Sequence, residues 1–188
     1  ATASPGIHAV LTWEDSPPRK FSTACHQDPR VDADDTLVLD RTVRFVGQRV
    51  AAVVAETDSQ AQVACGQIEV EYEELPAVFD AEQALKPDAP RVHKESVGSV
   101  LLRPKGNLIL ALDGEVGDID QGFEAADLIH ESYMETSRVQ NAHLEPHCTI
   151  AWVNDDETIS IRTSTQAPYV AREKIAHIFG LPVPQVNL

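Results

Sequence analysis

Two histidines four residues apart, in His143-Leu-Glu-Pro-His147, are the first residues in this chain whose type and spacing invite chemistry. On one helix face such a pair could share a zinc ion. Pro146 argues against a helix interior, and in the extended form favoured by the flanking residues the two side chains stand ~13 Å apart, too far for one ion. Nor is this the zincin pattern, where Glu directly follows the first His and two residues precede the second. The motif therefore reads as a turn leading into a strand. Cys148 beside His147 suggests a thiol and its base, but neighbours on a strand point to opposite faces, so Cys148 reads as a small core residue. Cys25-His26 lies in a loop and has no evident third partner. Glu69, Glu71 and Glu73 alternate with apolar residues and form a solvated stripe rather than an acid/base pair. No dinucleotide-binding glycine motif, phosphate-binding lysine loop or nucleophile elbow is present.

One polar run resists a purely structural reading. Thr163-Ser-Thr-Gln166 lies at the end of a strand pattern, immediately before Ala167-Pro168 opens a helix. At such a junction a strand hands its last side chains to a cleft, and helix amides point toward an anionic ligand. Ser164 or Thr165 would serve as a helix cap, and Gln166 is the residue that capping explains least.

The elements that position these groups follow from pattern. Ile7 to Thr12, Val43 to Val46 and Arg49 to Glu56 read as strands, the last continuously apolar at Val50 to Ala55 and so expected to be central in a sheet. Thr57 to Ser59 offers a cap for a short helix with Ala61, Ala64 and Cys65 on one face. Ile68 to Glu73 alternates with period two, which predicts a strand and completes a compact strand-helix-strand unit. Asp80 caps Ala81 to Leu85. Residues 86–105 hold three prolines and no period, and read as a linker. Beyond it, Leu108 to Leu112 is a predicted strand, Asp118 caps a helix to Ala126, and Leu128 to Val139 is a predicted meander strand. His147 to Val153 and Thr158 to Thr163 form a hairpin through the polar turn Asn154 to Glu157. A final helix runs from Pro168 to Gly180.

Composition bounds the partners. The 188 residues carry 30 Asp and Glu against 15 Lys and Arg, a net charge of −15, so a phosphate backbone or an anionic membrane surface would repel the chain. Three scattered cysteines form neither a disulfide framework nor a zinc set and point to a reducing, cytoplasmic compartment. No apolar run approaches the ~20 residues of a spanning helix. The start at Ala1 without Met, and the stop at Leu188 as a new extended segment begins, read as ends within a longer chain. From the residues alone, this is an α+β unit with no self-contained active site.

Val43-Arg-Phe-Val-Gly-Gln-Arg-Val-Ala-Ala-Val-Val-Ala-Glu-Thr57, followed by Ile68-Glu-Val-Glu-Tyr-Glu-Glu-Leu-Pro-Ala-Val78, resembles the a/b hammerhead domain of the xanthine dehydrogenase and aldehyde oxidase family. Pro5 to Thr12 looks like that family's upstream strand. Leu144 to Ala151, with Ser164-Thr-Gln-Ala-Pro168, looks like the opening of its molybdopterin-binding domain. The resemblance implies a hammerhead domain at 1–88, a linker at 89–105, and at 106–188 the first β-meander and strand-helix unit of a molybdopterin-binding α+β domain. It also implies a catalytic subunit that hydroxylates purines, N-heterocycles or aldehydes with oxygen from water, with a lean to xanthine dehydrogenase from Arg41 to Thr57. A molybdopterin cofactor carries that chemistry, and electrons pass through 2Fe-2S clusters to FAD on partner domains or subunits. By resemblance Gln166 is the catalytic and cofactor-binding residue, its amide contacting the oxygen ligand of molybdenum, and no protein metal ligand is expected. The family's later Gly-rich segment, pterin loops and catalytic glutamate are missing, so the isolated chain is expected to be inactive and to hold no molybdopterin tightly. The remainder of the molybdenum-binding subunit and a small-molecule substrate are the further partners implied. The alternative is a non-enzymatic binding or scaffold module that reuses the hammerhead.

The histidine reading makes a direct prediction. His143→Ala and His147→Ala are expected to leave zinc content unchanged, checked by calorimetric titration; a one-to-one zinc site lost in either variant would contradict it.

Overall fold

The computed structural model describes residues 4–23, 33–93 and 105–188, and its α+β architecture agrees with the sequence reading. Among those residues no helix is long and apolar enough to cross a membrane. Strands β1 (Ile7–Leu11) and β2 (Ala52–Ala55) pair antiparallel, with an irregularity between Ile7 and Ala9. Helix α1 (Asp58–Gly66) follows β2 directly, and Ala64 is wholly buried where the helix meets the pair. A methyl side chain lets helix and strands approach closely. Thr57 caps α1 by accepting from the Gln60 amide at 3.3 Å. Gly6 adopts a left-handed φ of 77° that favours glycine, and a Cβ there would stand 2.2 Å from the Nε2 of the Gln60 side chain lying against it.

Several predicted strands are not formed. Val43–Val46 lies in a loop, because the Arg44 amide donates to Gln48 Oε1 at 2.8 Å instead of to a neighbouring strand. The Arg44 guanidinium reaches Asp40 at 2.7 Å. Burial pushes the Asp40 carboxyl up, but the Thr42 amide and Arg44 outweigh it and hold the group below its ordinary value. Strand β2 is not central either: it pairs only with β1, and Val54 is exposed. Residues 68–73, 108–112 and 128–139 run without regular strand structure, so the predicted strand-helix-strand unit around α1 is absent. Alternation marks which face of a strand is apolar, whereas a strand exists only when a second backbone lies beside it. Among the described residues none pairs with 68–73 or 128–139, and Leu108 makes only an isolated bridge to Lys105.

The caps are legible and correct. Asp80 accepts from the Gln83 amide at 2.7 Å to start α2 (Ala81–Ala84), and Asp118 from the Gln121 amide at 2.9 Å to start α3 (Ile119–Glu124), which ends two residues short of the expected Ala126. Just beyond the segment read as linker, Asn107 donates to the Ala84 and Pro90 carbonyls and accepts from the Val92 amide, tying the two described sides together.

The C-terminal unit positions the polar junction. β3 (Thr149–Val153) and β4 (Ile159–Thr163) form the expected hairpin, and Glu157 in its turn adopts a left-handed φ of 62°. Asn154 braces the turn by donating to Thr158 and Ser160 hydroxyls, each at 2.8 Å. Helix α4 (Pro168–Phe179) then crosses over, and after a 3-10 turn at Val183–Gln185 the chain returns as β5 (Val186–Asn187), parallel to β4. Ile161, Ala176 and Val186 are the buried core, with Ile159, Ile175, Leu181 and Leu188 packed around them. Arg172 ties α4 to the returning chain by donating to the Val186 and Val183 carbonyls.

Gly180 ends α4 at φ 70°, and a Cβ there would lie 1.7 Å from the Arg19 guanidinium. Gly180→Ala is therefore expected to destabilise the protein by about 1–2 kcal/mol, the usual cost of a left-handed non-glycine residue. Urea denaturation checks this, and an unchanged midpoint would contradict it.

Candidate functional site

Strand β4 delivers Thr163, Ser164, Thr165 and Gln166 to the head of α4. The Thr163 hydroxyl pairs with that of Thr149 across the hairpin at 2.6 Å. Ser164 does not cap the helix. Its hydroxyl donates to the Pro146 carbonyl at 3.1 Å and accepts from the Cys148 amide at 3.3 Å, while its own amide donates to the Cys148 carbonyl. Ser164 thus laces the strand end to the segment that carries the histidines. Thr165 accepts from the Ala167 amide at 3.1 Å, one residue before the helix begins. The cap position is Ala167, no side chain caps α4, and Pro168 supplies the first turn. The capping role expected of Ser164 or Thr165 is corrected accordingly: both hydroxyls are engaged upstream of the helix.

Gln166 is exposed in a bend directly ahead of α4, and none of the described hydrogen bonds involves its side chain. A primary amide carries two donors and one acceptor, so this group is available to a ligand at the helix head. First-turn amides without a side-chain cap add a partial positive charge there. Beside the head lies a groove of about 250 Å³ lined by Pro168, Tyr169, Arg172, Asn187 and Leu188.

The histidine pair departs from its expected geometry. The rings of His143 and His147 stand edge to face with centroids 5.6 Å apart, not ~13 Å, because the chain bends between them at Leu144 and Glu145. Among the described residues no group of three or more His, Cys, Asp or Glu could hold a metal ion. Cys148 is exposed rather than in the core, since nothing described packs over the hairpin face that carries it. Glu69, Glu71 and Glu73 are exposed, as the alternation implies, and Cys25-His26 lies outside the described residues.

Sequence reasoning passed over Gln140 and Asn141, which open the segment that Ser164 holds. Gln140 Oε1 accepts from the Asn141 amide at 3.1 Å, and Asn141 Oδ1 lies 3.4 Å from His143 Nδ1. The signal available was a polar amide pair directly upstream of the His-Leu-Glu-Pro-His run.

A family model described as aldehyde oxidase and xanthine dehydrogenase, a/b hammerhead domain, matches residues 1–76, and one described as molybdopterin cofactor-binding domain matches residues 102–188. The xanthine dehydrogenase molybdenum-binding subunit of Escherichia coli O157:H7 is 33% identical over 186 residues, which is 97% of this chain and 23% of that protein. The chain thus spans about a quarter of that curated relative's length. Among solved structures, aldehyde oxidoreductase from Desulfovibrio gigas aligns with a TM-score of 0.80 at 25% identity, over 98% of this chain and 20% of its own. Reconstituted CO dehydrogenase from Oligotropha carboxidovorans aligns at 0.71 and 27% identity, over 98% of this chain and 23% of its own. With two adjoining domains matched in order and the same path of the chain in solved relatives, the protein belongs to the aldehyde oxidase and xanthine dehydrogenase family of molybdopterin oxidoreductases.

Proposed function

We propose that this chain works inside a longer catalytic subunit that hydroxylates a purine, N-heterocycle or aldehyde, with oxygen from water and a lean to xanthine-type purines. The observation that carries the reading is the likeness along nearly the whole chain to a xanthine dehydrogenase molybdenum-binding subunit. The relatives' names span xanthine, aldehyde and carbon monoxide, and in this reading residues elsewhere in the polypeptide choose among such substrates. In this reading electrons leave through 2Fe-2S clusters to FAD on partner domains or subunits, in the cytoplasm, and residues 1–88 and 106–188 are separate domains joined by 89–105. The 188-residue piece alone is inactive.

The residues present fit one edge of a molybdopterin site: an exposed amide at Gln166 with no hydrogen-bond partner among the described residues, at the head of a twelve-residue helix without a side-chain cap. When bound, the cofactor supplies the two-electron oxidation. The chain's own part is to bind and orient. Gln166 presents a donor and an acceptor toward the cofactor and the substrate beside it, and the first turn of α4 adds amide dipoles favouring negative charge. Ser164 fixes where that edge sits by holding the end of β4 to Pro146 and Cys148.

In the full-length enzyme, Gln166→Ala is expected to lower kcat by ~10² to 10³, the usual loss for one preorganised donor, with molybdenum content and melting temperature near normal. Gln166→Glu is expected to be worse, since it puts a negative charge where the donor stood. Turnover, molybdenum content and melting are measured on the same preparations, with Gln140→Ala in parallel. Near-normal turnover in Gln166→Ala would overturn the assignment, and a loss confined to Gln140→Ala would move the role to the segment that Ser164 holds.

A further inference from the structure

We propose that Arg19 and Asp34, on the long loop after β1, are positioning residues that grip the tail of α4 and thereby aim its head. The proposal rests on the reading of that head as an edge of the site. The two described stretches of the loop are held side by side where Phe21 and Thr36 exchange backbone hydrogen bonds at 2.8 and 3.0 Å. The bridge is antiparallel, so residues 19–20 and residue 34 lie on opposite sides of it, and what they share is His177. Arg19 donates to the His177 carbonyl at 3.4 Å, and its guanidinium fills the space that any side chain at Gly180 would take. His177 Nε2 lies 2.9 Å from the Lys20 carbonyl and 3.6 Å from Asp34, and Lys174 Nζ lies 3.5 Å from the other Asp34 oxygen.

The loop thus offers a cation to the negative end of the helix dipole and an anion to two basic side chains one turn apart. These partners are half-exposed, and such contacts contribute little stability individually. Their geometry matters more. An α-helix of twelve residues is a rod about 18 Å long. The core contact at Ala176 and the Arg172 bonds to the Val183 and Val186 carbonyls hold the middle of this rod, the latch holds its tail, and no side-chain cap restrains its head. Releasing the latch leaves only these mid-helix contacts to hold the rod, so it rocks about them and the head carrying Gln166 shifts.

The test is a charge-reversal cycle in the full-length molybdenum-loaded enzyme: Asp34→Lys, Lys174→Glu and the double variant. The readouts are hydrogen exchange at Ala171 to Glu173, the first bonded amides of α4, together with kcat, KM, molybdenum content and melting temperature. Each single variant is expected to speed that exchange and lower kcat by about threefold to tenfold, with KM, molybdenum content and melting little changed. The double variant is expected to recover at least half of both losses. Faster exchange confined to Ile178 and Phe179 would show local fraying and overturn the proposal, as would losses that the double variant does not recover. If Gln166→Ala retains turnover, the reading of the head fails, yet exchange at Ala171 to Glu173 and its recovery still decide the latch.

Discussion

The contact of Ala176 with Ile161 and Val186 is the constraint on which the candidate site depends. It is where α4 lies down on the β4–β5 pair, and Ala176 and Val186 are almost completely removed from water. Burying a valine-sized side chain contributes about 1.5–3 kcal/mol, enough to hold a two-residue strand that backbone bonds alone would not. Ala176 is small because the helix axis has to approach the strands closely here. Since α4 starts five residues after β4 ends, fixing the helix on the sheet also fixes Ser164 to Ala167 between them. The N-terminal unit repeats the device, with Ala64 of α1 wholly buried against β1 and β2.

Both units are thin. Apart from these two contacts, much apolar surface is exposed, including Tyr72, Ile109, Leu112, Tyr133 and Met134 on segments without regular structure. Alternation with charged residues in 68–73 gives one wet face and one apolar face, which is the surface of a strand in a sheet. The chain's length, about a quarter of that of its curated relative, accords with faces that chain elsewhere would cover. What the described residues provide by themselves is a framework: two small cores, four capped or glycine-closed helix ends, and a polar edge displayed between β4 and α4.

The parts of this structure that were legible in the sequence are those set by local chemistry. Thr57, Asp80 and Asp118 cap helices through contacts three residues away, and Gly180 ends a helix through its own φ. The hairpin turn at Asn154 to Glu157 is equally local. What misled were features decided by the partners and bends that the backbone adopts rather than by residue type. Val43–Val46 has the composition of a strand, but Gln48 satisfies the Arg44 amide from four residues away. The histidine pair was placed on an extended chain, whereas a bend at Leu144 and Glu145 folds it back. At the site, the Thr-Ser-Thr-Gln run was visible as a junction, yet the partners of Ser164 lie 16 and 18 residues upstream, and no local pattern encodes them. Family likeness supplied the cofactor, which no arrangement of these side chains alone could name.

The central claim is that one small-residue contact holds strand, helix and the polar edge between them as a unit. Ala176→Leu overpacks that contact by three heavy atoms, at a cost of about 1–3 kcal/mol. Hydrogen exchange in the full-length protein, compared with and without the substitution, reads the outcome segment by segment. The account predicts that Ile159–Thr163 and Pro168–Phe179 lose protection together and by the same factor, while Asp58–Gly66 keeps its own. Loss in α4 with β4 unchanged, or equal loss in α1, would contradict it.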